Sequence, residues 1–207
     1  MTRNAAGTRT AILDAAENLV MSHGFGGTSV DAILERTGLT KGAFFHHFPS
    51  KSELAHALVD RYAQLSQEHL EDKMARAERM SRDPLQQVLI FIALFEEEMA
   101  ELAGETPGCL FAAYCYQSQL FDERIHGILR SAIAIWGERI AAKLEPAIAL
   151  HPPKIPVDVK ELSDAFLVVL EGAYVVSRTM SETDGRSVAQ QLRHYRNYLE
   201  LLFDVAA

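Results

Sequence analysis

Apolar residues in this chain return at intervals of three and four almost from end to end, and no segment sustains the two-residue alternation of a strand. That spacing lines them along one side of a helix and predicts an all-α protein. A first helix is expected from about Thr8 to His23, with Ile12, Leu13, Ala16, Leu19 and Val20 as its stripe and Asp14 and Glu17 facing water. Gly24, Gly26 and Gly27 then break it. Two short helices follow. Thr28 and Ser29 cap the first of them, which buries Val30, Ile33 and Leu34; Thr40 caps the second, which ends near Phe48 and Pro49 with Phe44 and Phe48 on its far side. Gly38 sits between them, where glycine accepts a left-handed turn without steric cost.

A fourth helix starts at Ser50, with Glu53 placed as a capping-box partner. It runs through Leu54, Leu58, Tyr62 and Leu65 into a charged stretch, Glu68 to Arg82, that reads as a solvated face. Pro84 suits the first turn of a fifth helix, Leu85 to Ala103, whose Glu96, Glu97 and Glu98 read as a wet face. Thr106, Pro107 and Gly108 open a sixth, Cys109 to Gln119, and a seventh spans Asp122 to Leu144. His151 to Pro156 is too rich in proline to be helical. The eighth helix, Asp158 to Met180, and the ninth, Arg186 to Phe203, carry regular apolar stripes suited to an antiparallel pair, within one subunit or across two.

At 207 residues with 48% hydrophobic content the chain can fill a real core. It has no apolar run of membrane-spanning length and no signal-peptide core near its start. Two cysteines, Cys109 and Cys115, fall on different faces of one predicted helix and cannot easily bridge each other, so a reducing cytoplasm is the expected compartment. The net charge of −8 is unlike that of most nucleic-acid binders. The acidity is uneven, however. Residues 1–60 hold five Lys/Arg against six Asp/Glu, a net of −1, and the rest carries −7.

The short second helix of the pair is small or cationic at its start (Lys41, Gly42, Ala43) and apolar behind. Such a helix can approach DNA closely, the geometry of a helix-turn-helix over about residues 29–48. From His23, Gly24 and Phe25 through Thr28, Ser29, Val30 and Ile33, then Gly38 to Gly42, Phe44 to Phe48, Lys51, Glu53 and Leu54, the run resembles the DNA-binding region of the TetR (tetracycline-repressor) family. The resemblance covers about the first sixty residues. It departs at Leu34, where the family usually has a small residue, and at Phe45, where it usually has tyrosine. A phenylalanine cannot donate to phosphate, which leaves a sugar or a thymine methyl for Phe45 to pack on.

The resemblance implies an N-terminal three-helix DNA-binding domain (1–60) and a C-terminal helical domain (61–207) for effector binding and dimerisation, about nine helices in all. It implies a bacterial, ligand-responsive regulator, dominantly a repressor, released from a palindromic operator on double-stranded DNA and bound to the nucleoid when on DNA. Thr28 and Ser29 would meet phosphate, Thr40, Lys41, Gly42 and Ala43 would enter the groove with Phe45, His46 and His47 would flank the backbone, and Lys51 would anchor a phosphate. A homodimer would pair the last two helices through Phe166, Val169, Ala173, Val176, Leu192, Tyr195, Leu199 and Leu202.

Phe91, Phe95, Met99, Phe111, Tyr114, Trp136 and Tyr174 are candidates to line a pocket for an apolar or aromatic small molecule; each is also an ordinary core residue. Gly108, Cys109 and Leu110 look like the start of the sixth helix in some TetR-family members that respond to electrophiles or oxidants. Cys109 is thus a candidate sensor thiol, or else a small buried residue easing helix entry. Enzyme chemistry finds no support: there is no phosphate loop, nucleophile elbow or metal-binding helix, and no cofactor or metal is expected. A small-ligand-binding or adaptor helical protein without DNA binding is the remaining alternative.

Overall fold

A computed structural model describes residues 5–102, 108–179 and 186–205. Thr106, Pro107 and Met180, which the sequence places at helix ends, lie outside the described residues. Among those described are nine α-helices, one 3-10 turn and no strand: α1 (Ala5–Gly27), α2 (Val30–Thr37), α3 (Lys41–His47), α4 (Lys51–Met80), α5 (Pro84–Glu101), α6 (Leu110–Cys115), the 3-10 turn Ser118–Leu120, α7 (Glu123–Leu150), α8 (Val159–Thr179) and α9 (Arg186–Leu202). No described helix is long and apolar enough to cross a membrane.

The chain divides into two compact units, Met1–Leu65 with Pro107–Ser131, and Ser66–Thr106 with Ala132–Ala207. Residues 107–131 therefore pack with the first sixty, although the sequence suggests a break near residue 60. The reason is aromatic burial. Tyr114 of α6 is fully buried, stacks on Phe121 at 4.3 Å and meets Phe25 at 5.8 Å. Its hydroxyl donates to the Ala55 carbonyl at 3.1 Å, and burial pushes its pKa up. Ile12, Leu13, Ala16, Ile33, Phe44, Phe48, Leu54 and Leu58 complete this core. Asp14 and Glu17 do not simply face water, since Arg61 of α4 donates to Asp14 at 2.7 Å and to Glu17.

The second unit is built on α5, α8, α9 and the later parts of α4 and α7. Phe91, Phe95, Trp136 and Phe166 form an aromatic knot, with Phe95 5.5 Å from Trp136 and Phe91 5.4 Å from Phe166. Three expectations are corrected here. The second half of α4 is not merely a solvated face: Leu70, Met74 and Ala77 are buried, and so is Lys73. Glu96 is not wet but buried, held by Arg193 at 2.6 Å and Arg196 at 3.1 Å. And α7 does not stop at Leu144. It continues past Pro146 to Leu150, because Leu144 and Ala147 on either side of the proline are fully buried and hold the helix to the core.

Candidate nucleic-acid interface

Local chemistry shapes the α2–α3 turn. The Ser29 hydroxyl accepts the Ala32 N–H at 3.1 Å and caps α2. Gly38 closes it in the left-handed region (φ 64°, ψ 25°), with its N–H on the Leu34 carbonyl at 2.8 Å. Thr40 then caps α3 by accepting the Ala43 N–H at 3.2 Å. A buried Ile33, Phe44 and Phe48 pin both helices to the core below. What remains on the outside of α3 is Lys41, Gly42, Phe45 and His46, all exposed, with Thr40 exposed just ahead of them. These positions share one side of a helix. The opening turn is uncovered.

The cations divide into two kinds. Lys41 and Arg36, the latter in the last turn of α2, are exposed and make no ion pair among the described residues. Arg9 of α1 is also exposed and lies over the Phe48 ring at 5.2 Å. All three are cations presented to solvent beside the α2–α3 turn; Arg9 and Arg36 are additions that the sequence offered only as part of a charge count.

Lys51 is different. Its ammonium donates to the Phe25 carbonyl at 2.7 Å and sits 4.5 Å from the Phe25 ring centre, and burial lowers its pKa. One of its three N–H groups thus closes the end of α1, and the phosphate-anchor role expected for it rests on the other two. Thr28 is corrected. It is 2% exposed and its hydroxyl donates to the Gly24 carbonyl at 2.9 Å, so only Ser29 of that pair is presented to solvent. Ala43 is half-buried, as is His47, whose ring meets that of exposed His46 edge-on at 5.2 Å.

A family model described as "Bacterial regulatory proteins, tetR family" matches residues 12–58, the stretch that holds this turn. That stretch is similar to the DNA-binding region of the tetR family. Of its curated relatives, an uncharacterized HTH-type transcriptional regulator of Lactococcus lactis is 39% identical over 67 residues, 32% of this chain and 34% of that protein. The match to that relative thus spans about a third of its length. The transcriptional regulator AcuR of Cereibacter sphaeroides is 27% identical over 155 residues, 72% of this chain and 67% of the other. A TetR-family transcriptional regulator from Agrobacterium tumefaciens shares the fold with a TM-score of 0.78 at 24% identity, covering 94% of this chain and 98% of that one. The matched stretch and the fold thus resemble those of helix-turn-helix transcriptional regulators.

Of the residues offered for an effector pocket, five meet in the second unit. Phe91, Phe95, Met99 and Trp136 are buried there, and the Tyr174 hydroxyl lies 3.2 Å from the Met99 sulfur. Phe111 and Tyr114 belong to the first unit, where Phe111 meets Tyr62 edge-on at 4.8 Å. Sequence reading missed the polar group beside the five. Glu98 accepts from His69 and Lys73, each at 2.9 Å, while the Lys73 ammonium sits 5.0 Å from the Phe95 ring centre. The two carboxylate partners outweigh the burial of Glu98 and keep its pKa below the ordinary glutamate value. A lone Lys in a charged run carried no signal of this.

The expected dimer stripe is also corrected. Phe166, Ala173, Leu192, Tyr195, Leu199 and Leu202 are buried in the unit's own core, and Val169 packs against it. Tyr195 donates to the Leu162 carbonyl at 2.6 Å. Of the eight, Val176 alone is exposed, and it joins Val168 and Val175 of α8 and Tyr198 and Leu201 of α9 as large apolar side chains left in water. Cys109 is buried at the start of α6, with the Tyr62 hydroxyl 3.8 Å from its sulfur, whereas Cys115 is exposed.

Proposed function

We propose that the protein is a repressor that grips a palindromic operator as a homodimer and lets go when a small apolar or aromatic molecule binds its second unit. The observation that carries the DNA half is the bared side of α3, where Lys41, Gly42, Phe45 and His46 stand clear of a fully buried Phe44. A two-turn helix reads few base pairs, so two copies on a common duplex are needed for useful specificity. The exposed valines of α8 with Tyr198 and Leu201 of α9 supply a surface for that pairing. The aromatic knot with Met99 supports an apolar effector, and the Lys73, His69 and Glu98 group offers it a polar handle.

The test is a titration of the purified protein on a duplex carrying the DNA upstream of its own gene, followed by fluorescence anisotropy at fixed salt. Tight, salt-dependent binding that Lys41→Ala weakens, and that aromatic compounds reverse, supports the reading. Binding no tighter to that duplex than to scrambled DNA, with Lys41→Ala unchanged, ends it.

A further inference from the structure

Phe45 poses a chemical question. It is 40% exposed, while its neighbour Phe44 is fully buried and holds it edge-on at 5.3 Å between ring centres. The ring is thus braced from beneath and offered outward. On the same side of α3, one turn earlier, stands Lys41, and beside that Gly42, around whose missing Cβ there is nothing within 4 Å. The outer part of the ring stays open to solvent, and the backbone at Gly42 is bare enough to come close to a base edge.

A phenyl ring has no donor or acceptor. It cannot recognise phosphate oxygens or the polar edges of guanine, adenine or cytosine. The one apolar group that projects into the major groove is the C5 methyl of thymine. Resting on the reading of α3 as the recognition helix, we propose that Phe45 selects sequence by packing against a thymine methyl in each operator half-site. Lys41 and Arg36 supply charge, and Phe45 supplies discrimination at one base pair.

The experiment uses the full chain and a duplex selected from a random pool by the protein itself. Each thymine in turn is replaced by deoxyuridine, which removes the methyl and leaves every hydrogen bond and sugar in place. One position per half-site is expected to weaken wild-type binding about four-fold, the worth of one buried methyl-sized group. Phe45→Ala is expected to bind thymine and uracil duplexes alike at that position, and Phe45→Tyr to keep the preference. Both substitutions fall on an exposed side chain, and the uracil scan on the wild type needs neither. If uracil is harmless at every position while Phe45→Ala weakens all sequences equally, the ring lies on the sugar backbone and the proposal is overturned. If the pool yields no preferred duplex, the DNA reading itself fails, an outcome distinct from a selected duplex indifferent to its methyls.

Discussion

The Lys51 ammonium donates to the Phe25 carbonyl 2.7 Å away and stacks above the ring of the same residue. One lysine thereby satisfies a carbonyl at the broken end of α1 and packs on a buried phenyl ring. Lys51→Met keeps the stem and removes both contacts. It is expected to lower the unfolding free energy by about 1–2 kcal/mol, read from urea midpoints, since a charged hydrogen bond and a cation–π contact are both lost. DNA affinity measured well below the transition should fall far less than for Lys41→Ala. Equal losses with unchanged stability would place Lys51 among the phosphate contacts.

Gly24 interrupts α1 at φ 74° and ψ 165°, and a Cβ there would lie 2.8 Å from Gln117 Nε2. The Gln117 side chain in turn accepts the Gly26 N–H at 3.0 Å. Gly24→Ala should cost about 1–3 kcal/mol, mostly from the backbone conformation. Adding Gln117→Ala removes the clash but not the strain, so the double variant should recover only a minor part. Full recovery would show the dihedral to be unimportant.

Leu201 and Leu199 sit two residues apart with opposite fates, 71% exposed and fully buried. Leu199→Ala should destabilise the unit by about 2–5 kcal/mol, as cavities in a packed core do. Val176→Arg with Leu201→Arg should leave secondary structure intact by circular dichroism while sedimentation shifts toward the monomer and operator affinity collapses. A double arginine variant that sediments like the wild type would place the pairing surface elsewhere.

Asp83 caps α5 through the Leu85 and Gln86 N–H groups and meets His151 at 2.6 Å. Burial alone would raise its pKa; the Gln86 bond, the His151 bond and the Leu85 bond outweigh it and hold the carboxyl below the ordinary aspartate value. A lowered pKa in the folded state means stability that is present above the unfolded value, about 4, and lost as pH falls through the folded one. Asp83→Asn keeps the cap but not the charge. Its deficit against wild type, about 0.5–1 kcal/mol for a partly exposed pair, should shrink in urea titrations as pH falls from 5 to 3. A deficit that stays constant over that range would remove the ion pair from the account.

The helix-turn-helix was legible because its signals are local. Ser29, Gly38 and Thr40 act on groups no more than four residues away, and each does in the fold what its chemistry suggests. Signals that depend on distant partners were not. Lys51 counts as a cation in the sequence, yet its partner lies 26 residues earlier. On α8 the adjacent pairs Val168–Val169 and Val175–Val176 make two sides apolar, so periodicity cannot say which side is core and which is left exposed. Pro146 reads as a stop until the burial of Leu144 and Ala147 around it is known. Lys73 and Glu96 look solvated until their partners come in from other helices.

The clasp of Tyr114 and Phe121 on Phe25 has a practical outcome for anyone grafting reading heads between proteins of this fold. A cut at residue 60 would strip that ring cluster from its own floor, leaving a hole under the transplanted head. A workable graft must carry two stretches of chain, the opening 65 residues and the later piece from 107 to 131, as a single inheritance.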